Sequence, residues 1–210
     1  MTEPPRTRRV DPQWAGYSCI VAAPGPSLTP EVVKACRVAR LRNNWRVLLV
    51  QDAYRAMKYA DALYGTNPSW WRAHKDCDGF AGQKWTSHHK EWTNNKLDPD
   101  PELKAPLAEL FGLLVVEGRD LPGFSLDPAA IHYGSNSGFQ AWNLALLFGC
   151  KRIVLVGYDM HSPGGKSHFF AEAAVEEMVC DPHLRFVCIR EVQRSLKDSV
   201  KTLVEDKIRA

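Results

Sequence analysis

Chemistry-bearing residues concentrate between Tyr133 and His168. Gly134-Ser135-Asn136-Ser137-Gly138 is a small-residue loop ahead of an apolar run. Such a loop presents backbone N–H groups at a helix N-terminus, where the helix dipole favours an anion. Asp159 lies just past the apolar stretch 153–156, the position beyond a strand end at which open α/β sheets bind ligands. Downstream come His161 and Lys166-Ser167-His168. A histidine there titrates near neutral pH and can accept a hydroxyl proton, and Gly164-Gly165 would let its loop close over a substrate. Taken singly, each histidine also reads as an ordinary surface residue. Together the segments suggest a nucleotide or phosphate site.

Three more segments hold the same kind of position after apolar runs. In Ala22-Ala-Pro-Gly-Pro-Ser-Leu28, Gly25 permits close backbone approach and Ser27 offers a donor; Pro24 and Pro26 equally well make a rigid turn. The loop is neither GxGxxG nor a Walker loop. Gln51-Asp52 pairs an amide with a carboxylate, suited to a sugar or base, or else Asp52 is a helix N-cap. Asn67, Trp70 and Trp71 could frame a base or sugar face, or the tryptophans could be core.

The elements that must position these residues follow from the apolar pattern. A strand is expected over 17–22, a helix opened by Thr29 as N-cap with Pro30 in its first turn, a strand over 46–50, a helix over about 52–58 and a strand over 60–64. Alternating β and α elements predict a parallel sheet with right-handed crossovers. Residues 66–105 show weak periodicity and read as an irregular, tryptophan-rich excursion. Strand character resumes at 113–117, a helix and strand follow within 133–157, a strand is expected near 186–189, and a charged helix over 192–208.

The 210 residues fit one domain over 16–210, preceded by an arm (1–15) in which Arg6, Arg8 and Arg9 lie among prolines and which reads as disordered. A net charge of +3 is too small to argue for nucleic acid. With no run of 18 apolar residues and no apolar region after Met1, neither a membrane span nor a signal peptide is expected, and the chain reads as cytoplasmic. The six cysteines form no CxxC pair and read as buried reduced thiols; His88-His89 has no partner at zinc-ligand spacing. Four of the seven tryptophans (Trp70, Trp71, Trp85 and Trp92) crowd one polar segment, as on a contact surface.

Taken together, these motifs resemble the sialyltransferase-like Rossmann group, which includes bacterial sialyltransferases, flagellin-modifying motility accessory factors and the archaeal 6-hydroxymethylpterin diphosphokinase domain. Small phage-encoded relatives match the chain length best, which would place it in a host cytoplasm. The resemblance spans about residues 17–72 and 131–170. It rests on Gly25-Pro26-Ser27, Asn67-Pro68, Ser137-Gly138, Gly157-Tyr158-Asp159 and Ser167-His168. Gln51 stands where the family has asparagine, and Ala23-Pro24 replaces the Gly-Asn that leads its nucleotide loop.

The resemblance implies a Rossmann-like three-layer α/β/α fold. It also implies metal-independent sugar transfer from a nucleotide sugar to an unidentified acceptor, without a further cofactor. Gly25, Pro26, Ser27, Gln51, Asn67, Ser135, Asn136, Ser137 and Gly138 would then bind the nucleotide. Trp70, Trp71, Tyr133, Tyr158 and His161 would face substrate, with the two tyrosines as candidates to stabilise the leaving phosphate. His168 would be the base, with Asp159 beside it. Two alternatives stand: Mg²⁺-dependent pyrophosphoryl transfer with Asp159 as ligand, and nucleotide binding without catalysis. Self-association is an open option.

Overall fold

A computed structural model describes residues 6–75, 77, 79–88, 108–134 and 136–159, and the backbone of 185–188. In chain order its elements are β1 (Ser18–Ala22), α1 (Pro30–Asn43), β2 (Arg46–Val50), a 3-10 helix (Gln51–Arg55) and β3 (Ala62–Tyr64). There follow α2 (Pro68–His74), β4 (Gln83–His88), β5 (Leu113–Arg119), β6 (Ala130–His132), α3 (Ser137–Leu147), β7 (Arg152–Val156) and β8 (Arg185–Cys188). The eight strands form one sheet in the order β6-β5-β4-β3-β2-β1-β7-β8, and every pairing is parallel. The fold is α/β of the Rossmann-like kind.

Parallel strands covered on both faces need apolar residues at successive positions, and β1, β2 and β7 supply them. Cys19, Val21, Leu48, Val50, Ile153 and Leu155 point to the layer that holds α3. Ile20, Ala22, Val47, Leu49, Val154 and Val156 point to the layer of α1, α2 and the 3-10 helix. Thr29 caps α1 by accepting from Val32 N at 3.5 Å, with Pro30 in the first turn, as expected.

The curvature of the sheet follows from α3. Five strand spacings of ~4.8 Å would set β1 and β6 ~24 Å apart in a flat sheet, yet α3 packs against β1, β2 and β6. The sheet therefore curls around this helix. Nine of its eleven residues are buried, including Gln140 and Asn143, so α3 lacks the polar stripe of a surface helix.

Three expectations are corrected. Residues 66–105 are not uniformly irregular: α2 lies among them, and β4 sits inside the sheet between β3 and β5. The helix expected over 52–58 is a single five-residue 3-10 turn beginning at Gln51, with no side-chain cap, so Asp52 is not an N-cap. The described part of the arm is anchored: Arg8 N donates to Val115 O and Val10 N to Pro128 O, both at 2.7 Å. Val10 and Trp14 are buried, and the Trp14 ring packs 4.3 Å from that of Phe148. The helix expected over 192–208 lies outside the described residues.

Cys19, Cys36, Cys77 and Cys150 are buried, and burial pushes the Cys36 thiol up to about 11. Among the described residues no helix is long and apolar enough to cross a membrane.

Candidate functional site

The strand order reverses once. From β1 the chain steps outward through β2 to β6, then returns through α3 to β7 on the other side of β1. A switch point of this kind opens a crevice beyond the C-terminal ends of the two central strands. Those ends carry Gly25-Pro26-Ser27 after β1 and Gly157-Tyr158-Asp159 after β7.

The two loops interlock. Ser27 donates to Asp159 Oδ2 twice, from its backbone N at 2.8 Å and from Oγ at 2.9 Å. Gly25 N donates to Gly157 O at 3.0 Å. Neither glycine leaves room for a side chain. A Cβ on Gly25 would lie 2.2 Å from Asp159 Oδ2, and one on Gly157 would lie 1.9 Å from Ala23 O. Gly157 also has φ +71°, a left-handed conformation that side chains disfavour by ~1–2 kcal/mol. Gly157→Ala is therefore expected to lower stability by about 2–4 kcal/mol, strain and backbone clash together. Urea denaturation measures it; a loss under 1 kcal/mol would mean that the two loops part at little cost.

α3 enters the same crevice. Asn136 caps it, its Oδ1 accepting from Phe139 N at 2.9 Å while its Nδ2 donates to Gly134 O at 3.2 Å. With Phe139 N taken by the cap, Ser137 and Gly138 contribute the leading N–H groups that a helix leaves without an intrahelical acceptor. Tyr158 fixes this end of the helix to the β7 loop by donating from its hydroxyl to Gly138 O at 3.0 Å. Thr66 N, after β3, donates to Ser137 Oγ at 3.4 Å. The segments 25–27, 64–67, 136–138 and 157–159 thus meet around one helix start.

Below this point lies a polar network that the sequence pattern did not single out. The Tyr64 hydroxyl contacts Gln140 Oε1 at 2.8 Å, Ser87 Oγ at 3.0 Å and Thr66 Oγ1 at 3.0 Å. The Thr66 hydroxyl also donates to Gln140 Oε1, and Gln140 Nε2 donates to Tyr133 O at 2.9 Å. Burial drives the Tyr64 phenol well above its ordinary range, so it stays protonated. Gln140, one of two amides in an otherwise apolar helix, was the available signal.

The other expected site residues fall as follows. Gln51 begins the 3-10 helix at the end of β2 with φ +44°, a conformation uncommon for a residue with a side chain. Asn67 caps α2, its Oδ1 accepting from Ser69 N at 3.0 Å and Ser69 Oγ at 2.7 Å. Trp71 offers no open ring face: it is 1% exposed and its Nε1 donates to Gly65 O at 2.8 Å. Trp70 donates to Asp52 Oδ2 at 3.2 Å and stacks on His74 with ring centroids 4.3 Å apart. Trp85 is buried like Trp71, so neither offers the broad contact surface expected of the cluster, while Trp70 is half-buried. Tyr133 lies against Gly118 of β5, four strands from β1, and the Tyr158 hydroxyl is committed to Gly138. Ser135, His161, Lys166, Ser167, His168 and Trp92 lie outside the described residues.

The charge balance of the site is distinctive. Segments 23–28, 65–67, 133–138 and 157–159 contain no lysine or arginine, so among these segments an anion would rest on helix-terminal N–H groups. Asp159 supplies the one carboxylate, and among the described residues no three His, Cys, Asp or Glu cluster as metal ligands. No protein-family model matches the chain, and a search of curated proteins finds no match.

Proposed function

We propose that the crevice binds a nucleotide sugar and transfers its sugar to an acceptor hydroxyl. The supporting observation is the double donation from Ser27 to Asp159 Oδ2, which joins two distant loops beside the start of α3. It also revises the division of labour. Because both Ser27 donors meet a carboxylate, Ser27 positions Asp159 rather than a phosphate. Asp159 would then accept from a sugar or ribose hydroxyl, as a strand-end carboxylate does in other doubly wound sheets. The phosphates would rest on Ser137 N and Gly138 N, where the helix dipole stabilises negative charge as the leaving group forms. In the transfer, His168 takes the acceptor's proton, the acceptor oxygen bonds to the anomeric carbon, and the bond from that carbon to the phosphate oxygen breaks.

The lack of lysine and arginine in these segments favours one second reading, Mg²⁺-assisted pyrophosphoryl transfer. Mg²⁺ keeps several waters and binds through one or two carboxylates together with substrate phosphates. Asp159 alone fits that pattern only when phosphates are present.

A thermal-shift series on the full chain separates the readings, with nucleotides and nucleotide sugars tested with Mg²⁺ and with chelator. A nucleotide at 100 times its Kd is expected to stabilise the fold by about 2.7 kcal/mol. Under sugar transfer the shift and the turnover survive chelation. Under pyrophosphoryl transfer both need Mg²⁺, and Mg²⁺ alone gives no shift. Absence of any nucleotide shift would overturn both.

A further inference from the structure

We propose that a recess at the opposite, N-terminal ends of the strands binds a small oxyanion, a phosphate or carboxylate group, beside Arg8 and Arg9. The recess has a volume of about 120 Å³ and is lined by Arg8, Arg9, Asp11, Gln13, Gln83 and Trp85, with Leu114 of β5 completing its wall. Gln83 opens β4 and Leu114 lies near the start of β5. The recess therefore sits at the N-terminal ends of the strands, ~17 Å of strand length from the crevice where nucleotide binding is proposed.

The walls are built rather than incidental. The Arg8 backbone is tied to β5, and buried Val10 and Trp14 hold the following residues down. Gln13 and Gln83 exchange amide hydrogen bonds, Nε2 to Oε1 at 2.9 Å in one direction and 3.0 Å in the other. Trp85 Nε1 donates to Gln83 Oε1 at 3.0 Å. The two amides thus satisfy each other.

Two arginines against Asp11 leave the lining net positive. Neither Arg8 nor Arg9 forms an ion pair among the described residues. Asp127, which feels the charge of Arg9, is already held by Arg119 Nη1 and Ala129 N, each at 2.9 Å.

Size and chemistry then select the occupant. The volume is several times the ~10–15 Å³ that one water requires and below the ~300 Å³ of a typical small-molecule pocket. It admits an oxyanion and is too small to enclose a whole nucleotide. The planar guanidinium fork matches the paired oxygens of carboxylate and phosphate.

Calorimetry on the full chain, at constant ionic strength, tests this with inorganic phosphate in one arm and succinate in the other. At least one is expected to bind saturably, and the arm that responds identifies the oxyanion class. Arg8→Gln and Arg9→Gln are each expected to weaken that binding by about tenfold or more. Both side chains are exposed and the Arg8 tie to β5 is made by its backbone N, so both variants retain the fold. Tryptophan emission locates the event, since a phosphate- or succinate-induced change should vanish in Trp85→Phe. Nucleotide affinity is expected to be unchanged in both arginine variants. Absence of saturable binding in both arms would overturn the proposal, as would identical isotherms in the arginine variants or a parallel loss of nucleotide affinity.

Discussion

Asn143→Ala is expected to destabilise the protein by about 3–5 kcal/mol, more than most single substitutions. Asn143 is fully buried in α3. Its Oδ1 accepts from Ser125 N and from His132 N, both at 2.9 Å, and its Nδ2 donates to Ser125 O at 2.8 Å. The amide therefore satisfies two backbone groups of the segment joining β5 to β6 and one at the last residue of β6, four residues before α3 is capped. Truncation orphans two donors and one acceptor, at roughly 1–3 kcal/mol each when they stay buried. Asn143→Leu separates this from simple loss of packing, because it restores volume and still orphans the same groups. Chemical denaturation should therefore place Asn143→Leu beside Asn143→Ala. A leucine variant as stable as the parent would show that the segment finds other partners, and the staple would lose its significance.

Legibility in the sequence followed burial. β1, β2 and β7 announce themselves because strands covered on both faces are apolar at every step, and Asp159 follows because strand ends bind ligands. β4 was hidden for the converse reason. Its Gln83-Lys-Trp-Thr-Ser-His sequence buries Thr86 and Ser87, and the partner that makes Ser87 acceptable is Tyr64, one strand away and 23 residues earlier. β6 is three residues long, too short to carry a period. The arm looked solvent-exposed by composition, yet Val10 and Trp14 bury where nothing nearby in sequence says what covers them. At the site, the glycine loops could each be read singly. Their coupling spans 132 residues between Ser27 and Asp159, and only the parallel β1–β7 pairing brings them together. Pattern could nominate Ser27 as a phosphate donor; it could not reveal that a carboxylate had already claimed both of its hydrogens.

That claim sharpens what His168→Ala should do under the sugar-transfer reading. If Ser27 positions Asp159, and the phosphates rest on Ser137 N and Gly138 N, then no nucleotide contact depends on His168. Removal of a general base typically slows a reaction by ~10²–10⁴-fold. The variant is expected to lose turnover on that scale while its nucleotide affinity stays within about twofold of the parent, since no contact worth 1.4 kcal/mol is lost. The pH–rate profile supplies a readout that mere misfolding would not: the limb that reports deprotonation of the general base should disappear. Gly157→Ala provides the reciprocal case, because separating the β1 and β7 loops disturbs Asp159 and the binding of sugar before any proton moves. Its nucleotide-sugar affinity should therefore fall together with turnover. Two variants that fail in the same way would place His168 in the binding surface instead, and a His168→Ala protein with undiminished turnover at saturation would remove the histidine from the chemistry.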